Sequence, residues 1–247
     1  MYFQDDAHTL MELIPTVKRA RRWRLYADGG RRFVDLWQNG GRTLLGAKPD
    51  SLVRELKSAA DRALFAALPS HHGKRLEAAL SMLFPSRVFR FYERKLPFRV
   101  PLWRPFSAEA GNKTLAEPLF SPVLPFPLVP EVLVLKSERD AAALPPQEVI
   151  SPVLLVCAVR AVYAIMKGDR RGAIRYQTIE RIPFEKTLWR KDGIYLYYTG
   201  SGYMEDFSRF LSKGFLLSPD SGEPLILPGE LSCGEEKSLA SLIFPAQ

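Results

Sequence analysis

The chain has 247 residues, with 35 Lys+Arg against 27 Asp+Glu and a formal charge of +8. Hydrophobic residues make 47% and charged residues 25%, a balance that excludes wholesale disorder, collagen-like repeats and disulfide scaffolds. A chain of this length buries roughly 70–75% of its unfolded surface, enough for one or two domains without staples.

Residues Leu10 to Leu25 predict a short helical stretch. Asp28-Gly29-Gly30, set between Leu25-Tyr26-Ala27 and Phe33-Val34-Asp35-Leu36, predicts a hairpin, because glycine accepts the positive φ of a tight turn. Pro49-Asp50-Ser51 opens a helix whose apolar face carries Leu52, Val53, Leu56, Ala59, Ala60, Ala63 and Leu64. A second amphipathic helix spans Gly73 to Phe84, and Val88 to Tyr92 reads as a strand.

The stretch from Pro97 to Pro152 holds more than half of the 20 prolines. Pro118 to Pro127 is expected to form neither helix nor central strand, since proline fixes φ and removes donors. Its leucines and aromatics still predict packing, and only Glu131 to Leu135 reads as a regular buried strand. A long buried helix runs from Ile150 to Lys167. Strands are predicted at Arg175 to Glu180, Gly193 to Tyr198, Phe215 to Leu217 and Pro224 to Pro228. Helices are predicted at Met204 to Lys213, closed by Gly214, and at Glu235 to Ile243. The last zone reads as α+β, an antiparallel sheet with helices on one side.

Cys157 and Cys233 match no metal or redox spacing, and Cys157 sits in an apolar run that predicts a buried, reduced thiol. The acidic start Met1-Tyr2-Phe3-Gln4-Asp5-Asp6 lacks the layout of a signal peptide. Val149 to Met166 is broken by Pro152 and Arg160, a poor membrane span. A cytoplasmic protein is expected.

Two regions resemble the ends of a known family. Tyr26-Ala27-Asp28-Gly29-Gly30-Arg31-Arg32-Phe33-Val34-Asp35, followed by Gly41, Leu44-Leu45-Gly46 and Pro49, resembles the opening of class III aminotransferases of pyridoxal phosphate (PLP) fold type I. Glutamate-1-semialdehyde aminomutase is of that group. Leu76, Leu80, Leu83-Phe84-Pro85 and Val88 to Phe91 are similar to the helix and strand that follow. Phe210-Leu211-Ser212-Lys213-Gly214-Phe215-Leu216-Leu217-Ser218-Pro219, with Ser232 to Ile243, resembles the closing segment.

The resemblance implies an α/β fold made of small-domain ends, with the large PLP domain mostly missing. It divides the chain into an N-terminal segment 1–96, a Pro-rich remnant 97–150 and a small domain 151–247. In the family, a seven-stranded sheet carries the cofactor; here about 55 residues stand in its place, too few at roughly 3.3 Å per strand residue.

PLP chemistry needs a Schiff-base lysine, an acid at the pyridinium nitrogen and a helix N-terminus for the phosphate. The Ser-Gly-Thr loop implied after Val88 to Phe91 is replaced by Tyr92-Glu93-Arg94-Lys95-Leu96-Pro97. No aspartate occurs between Asp61 and Asp140. Pro130 to Lys136 resembles the strand before the family's lysine, which makes Lys136 the candidate, but Ser137-Glu138-Arg139-Asp140 stands where glycines are implied. The expected outcome is a degenerate, non-catalytic relative acting through binding or assembly. A residual PLP aminotransferase using Lys136 is the alternative, completed by another chain where the protein is half of a split enzyme.

Lys18-Arg19-Ala20-Arg21-Arg22-Trp23-Arg24 is the strongest charge cluster. Arg19, Arg21, Arg22 and Arg24 are candidate anion-binding residues, and Trp23 could stack on a base in a nucleic-acid module. The competing reading is the solvated face of a helix, and no nucleic-acid motif accompanies the cluster. His71-His72 reads as a surface-loop pair pointing apart rather than a metal site. Ser151-Pro152 reads as a helix entry, Gly200-Ser201-Gly202 as a turn, and Asp28, Asp35 and Asp50 as turn or helix-start residues. A homodimer or a partner protein is expected, with Phe120 and Phe126 as candidates to cover apolar surface, within the chain or across a dimer.

Overall fold

The computed structural model describes residues 3–168 and 176–245. The chain begins with α1 (Phe3–Glu12), β1 (Val17–Arg21), β2 (Arg24–Ala27) and β3 (Arg32–Asp35). It continues through α2 (Asp50–Asp61), α3 (His71–Leu83), β4 (Val88–Tyr92), β5 (Leu102–Trp103), α4 (Glu109–Ala116), β6 (Leu119–Pro122) and β7 (Glu131–Leu135). Then come α5 (Glu138–Ala141), α6 (Pro152–Met166), α7 (Gln177–Glu180), β8 (Trp189–Asp192) and β9 (Tyr195–Tyr198). The last elements are α8 (Tyr203–Ser212), β10 (Phe215–Leu216), β11 (Leu225–Ile226) and α9 (Cys233–Ile243). The architecture is mixed α/β, as expected.

Two compact units divide the chain: 1–48 with 170–247, and 49–169. The sequence boundaries after 96 and after 150, drawn from resemblance rather than compactness, both fall inside the second unit.

The first unit contains a sheet ordered β1-β2-β3-β10 and a second ordered β11-β9-β8. The hairpin at Asp28-Gly29-Gly30 forms as read, with Gly29 and Gly30 at φ 67° and 75°. The helix read over Leu10 to Leu25 does not. It ends at Glu12, and Val17 to Ala27 pairs as the antiparallel hairpin β1-β2. All five residues of β1 are exposed, so it carries no alternation to betray a strand, and Lys, Arg and Ala favour helix by composition. Pro15 separates the two elements.

β10 pairs with β3 in parallel, Phe215 opposite Val34, which joins the two ends of the chain in one sheet. Gly214 caps α8 at φ 82° and its carbonyl accepts from Val34 N–H at 2.8 Å. The strand expected at Arg175 to Glu180 is instead the turn of helix α7; Arg175 itself lies outside the described residues. The Glu236 carboxylate accepts from the N–H groups of Thr178 and Ile179, which favours a helical turn there. The core of this unit includes Phe33, Leu36, Trp189, Tyr195, Phe207, Phe210, Phe215 and Leu239.

The second unit packs α6 against both α2 and α3. Ser151 stands at the N-cap of α6 with Pro152 in its first turn, while its hydroxyl donates to Leu64 O at 3.3 Å. Cys157 is fully buried in this helix, as read. The sheet of this unit is four-stranded, ordered β4-β7-β6-β5.

Here the proline reading is corrected: β6 is an internal strand. Leu119 and Phe120 pair with β7, and Ser121 and Pro122 pair with β5. Ser121 and Val123 donate to Pro101 O and Trp103 O, so the nitrogen of Pro122 faces the other side, where pairing with β7 has already ended. No ladder bond is lost. Phe120 and Phe126 are 0% and 5% exposed, so they pack inside the unit; Phe120 meets Phe84 edge to face at 5.3 Å. Each such buried side chain contributes about 1.5–3 kcal/mol.

Candidate functional site

In the second unit, antiparallel pairing sets Val88 opposite Leu135 and Tyr92 opposite Glu131. Lys136 therefore leaves β7 beside the start of β4. The loop leaving β4 begins at the other end of the pair, four residues or about 13 Å away at roughly 3.3 Å each. Lys136 is exposed, its N–H donates to Pro118 O at 2.9 Å, and the next residue, Ser137, caps α5 by accepting from Asp140 N–H.

The chain beyond β4 is tied to the segment before α6. Tyr92 donates its hydroxyl to Pro145 O at 2.8 Å, and Glu148 N–H donates to Phe91 O at 3.2 Å. Glu93 N–H donates to the Glu148 carboxylate at 2.6 Å. A phosphate cradle needs open backbone N–H groups at a helix N-terminus. Here Glu148 takes one such donor, two carboxylates stand at the turn, and residues 93–101 form no helix. The residues at this turn do not fit the phosphate of PLP.

In the first unit, the β1-β2 hairpin brings Arg21, Arg22 and Arg24 together with Arg32, Tyr26, Glu230 and Glu235 around an open cleft of about 340 Å³. Arg24 forks onto Glu235, Nε at 3.1 Å and Nη2 at 2.6 Å. Arg32 reaches the same carboxylate at 3.3 Å, and Arg22 pairs with Glu230. Arg19 stacks on the Tyr26 ring at 4.4 Å. The hydrogen bond that Arg24 donates to Glu235 raises its pKa against burial. Burial pushes Glu235 up, but Arg24 and Ser232 outweigh it and hold the carboxyl below its usual range.

Two carboxylates thus occupy Arg22 and Arg24, two of the four guanidinium groups expected to meet an anion. Trp23 is also committed, since its indole N–H donates to Leu44 O at 3.2 Å and its ring lies against Gly229. Sequence reading missed Glu230 and Glu235, although Ser232 and Glu235 carry the spacing of the capping box that opens α9.

The histidine reading is corrected as well. α3 starts at His71, two residues before the predicted start, which puts His72 on the buried stripe with Leu76, Ala79 and Leu80. His72 is 5% exposed, and its ring lies 3.9 Å from that of His71 rather than pointing away. No cluster of three or more His, Cys, Asp or Glu suited to a metal exists among the described residues. Gly200, Ser201 and Gly202 form the bend read for them and line a cleft of about 300 Å³ with Tyr198 and Tyr203. No helix among the described residues is long and apolar enough to cross a membrane.

No family model matches the sequence. An uncharacterized protein of Treponema pallidum is 27% identical over 86% of this chain and 88% of its own length. An uncharacterized protein of Borreliella burgdorferi is 24% identical over 95% and 92%. Among solved structures, an omega-transaminase from Sphaerobacter thermophilus matches with a TM-score of 0.69 over 98% of this chain and 96% of that one, at 10% identity. Acetylornithine aminotransferase from Elizabethkingia anophelis matches at 0.60 over 93% and 92%, at 12% identity. The fold is therefore that of the aminotransferases of PLP fold type I, as the sequence resemblance implied.

Proposed function

We propose that this chain is an aminotransferase-like protein without PLP chemistry, acting through binding or assembly. The observation that carries this reading is the turn after β4, where Glu148 holds the Glu93 N–H and no helix follows.

The test is titration with pyridoxal phosphate, followed by borohydride reduction and peptide mapping. The expected result is no saturable visible band and only scattered labelling of surface lysines. A saturable band with label confined to Lys136, abolished in Lys136→Ala, would establish the residual-enzyme reading instead. Assembly is proposed to be homodimeric, covering apolar side chains such as Phe65 and Leu68, 61% and 62% exposed. A monomeric mass by light scattering at micromolar concentration would exclude it.

A further inference from the structure

We propose that the cleft between α2, α3 and α6 binds a phosphoryl dianion. Independent of the aminotransferase reading, the cleft belongs wholly to the second unit. Its volume is about 170 Å³, below the ~300 Å³ typical of pockets for drug-sized ligands, so it fits a small anion or the charged end of a larger molecule.

Its charges are unevenly matched. Arg160 on α6 directs Nε and Nη2 to one oxygen of Glu55 on α2, at 2.9 and 2.7 Å, and that pair is internally neutral. Among the described residues, Arg62, at the end of α2, donates only to the carbonyl and hydroxyl of Ser58, at 3.0 and 3.3 Å. Arg75 on α3 has no hydrogen-bond or ion-pair partner among the described residues. Two guanidinium groups thus face the cleft without a carboxylate, and guanidinium forks bind phosphoryl oxygens in paired, charge-assisted hydrogen bonds.

The wall of the cleft carries a second, independent sign of a ligand. His72 is 95% buried by its 5% exposure, lines the cleft, and has no hydrogen-bond partner among the described residues. Its ring nitrogens are not among the buried unpartnered atoms of the described residues, so they reach the cleft and are open to a partner there. Both histidines stand in the first turn of α3, a helix of 13 residues whose N-cap, Ser70, makes no capping bond. The positive end of that helix therefore stands beside the cleft.

The groups facing His72 are Arg62 and Glu55 from α2, His71 and Arg75 from α3, and Arg160 and Tyr163 from α6. Burial, then His71, Arg75 and Arg62, lower the His72 pKa, with Glu55 opposing weakly. An added dianion reverses the sign of that field, so occupancy moves the His72 titration to higher pH.

The test uses the full chain and inorganic phosphate, with binding followed by calorimetry and by the imidazole proton signals. The chain has only 3 histidines, so His8→Gln and His71→Gln spectra assign His72. Expected are saturable binding, an upward shift of the His72 titration, and binding weakened about tenfold in both Arg75→Ala and Arg62→Ala. Arg94→Ala, outside the cleft, leaves affinity unchanged, and dispersed spectra of each variant verify folding. A monoester, glycerol 3-phosphate, separates the sources: tighter binding than phosphate assigns the cleft to a phosphorylated molecule, and equal binding to the free ion. Absence of saturable binding by either probe, or parental affinity in both folded arginine variants, overturns the proposal.

Discussion

Gly229 is a glycine because the indole of Trp23 fills the space a Cβ would need: an added methyl would overlap the six-membered ring. Trp23 cannot swing away cheaply, since its N–H is bonded to Leu44 O. Gly229→Ala is expected to destabilise the protein by about 1–3 kcal/mol through overpacking. A urea midpoint that falls with unchanged slope would match this; an unchanged midpoint would not.

Glu235 ties Arg24, Arg32 and the N-cap of α9 to one carboxylate. Its folded pKa lies below the unfolded value, so its contribution is present above the unfolded pKa and is lost as pH falls through the folded one. Stability should therefore drop on acidification below about pH 4.5, and Glu235→Gln should remove that part of the drop. Arg24→Ala leaves Glu235 partly buried and short of its strongest partner, a loss of about 2–4 kcal/mol. Thermal melts from pH 3 to 7 check both.

Asp35 behaves in the opposite sense. Burial raises its carboxyl to about 6, despite hydrogen bonds from the backbone N–H groups of Gln38 and Trp37. The folded chain then holds a proton that the unfolded chain releases, and stability falls as pH rises from about 4 to 6. Asp35→Asn, which keeps an acceptor for Gln38 N–H, is expected to flatten that slope and to gain roughly 1–2 kcal/mol at pH 7–8. An unchanged slope in the same melts would contradict the assignment.

The two cysteines differ by environment alone. Burial pushes the Cys157 thiol up to about 11, while Cys233 is exposed at the start of α9. A disulfide reagent is expected to modify one thiol rapidly in the native protein and both in guanidinium chloride. Cys233→Ser should abolish the rapid phase.

The helices were readable where local chemistry states its own case. α2 begins after Pro49, α8 ends two residues before Gly214, and α9 opens on the Ser232–Glu235 box. The resemblance to aminotransferases was equally legible, because it rests on turn and cap residues near both ends. What escaped depends on distant partners. β1 is exposed throughout and is a strand only because β2 lies beside it. β6 keeps two prolines in and beside an internal strand because its two neighbours use different halves of it. His72 looked like half of a surface pair until two more residues joined the helix; Arg75 is its neighbour one turn on, but Arg62 and Arg160 meet it only through packing of three helices. The pairing of Arg22 and Arg24 with Glu230 and Glu235 spans nearly the whole chain and has no local signature.

The parallel pairing of β3 with β10 imposes an order on biosynthesis. β3 leaves the ribosome roughly 180 residues ahead of the strand that completes its sheet, a wait of about 9–36 s at 5–20 residues per second. The contiguous stretch 49–169 emerges whole in that interval and can fold first, while the hairpin ahead of it holds an unpaired edge. A nascent chain stalled before Phe215 therefore carries a finished second unit and an open strand, the species that chaperones would meet.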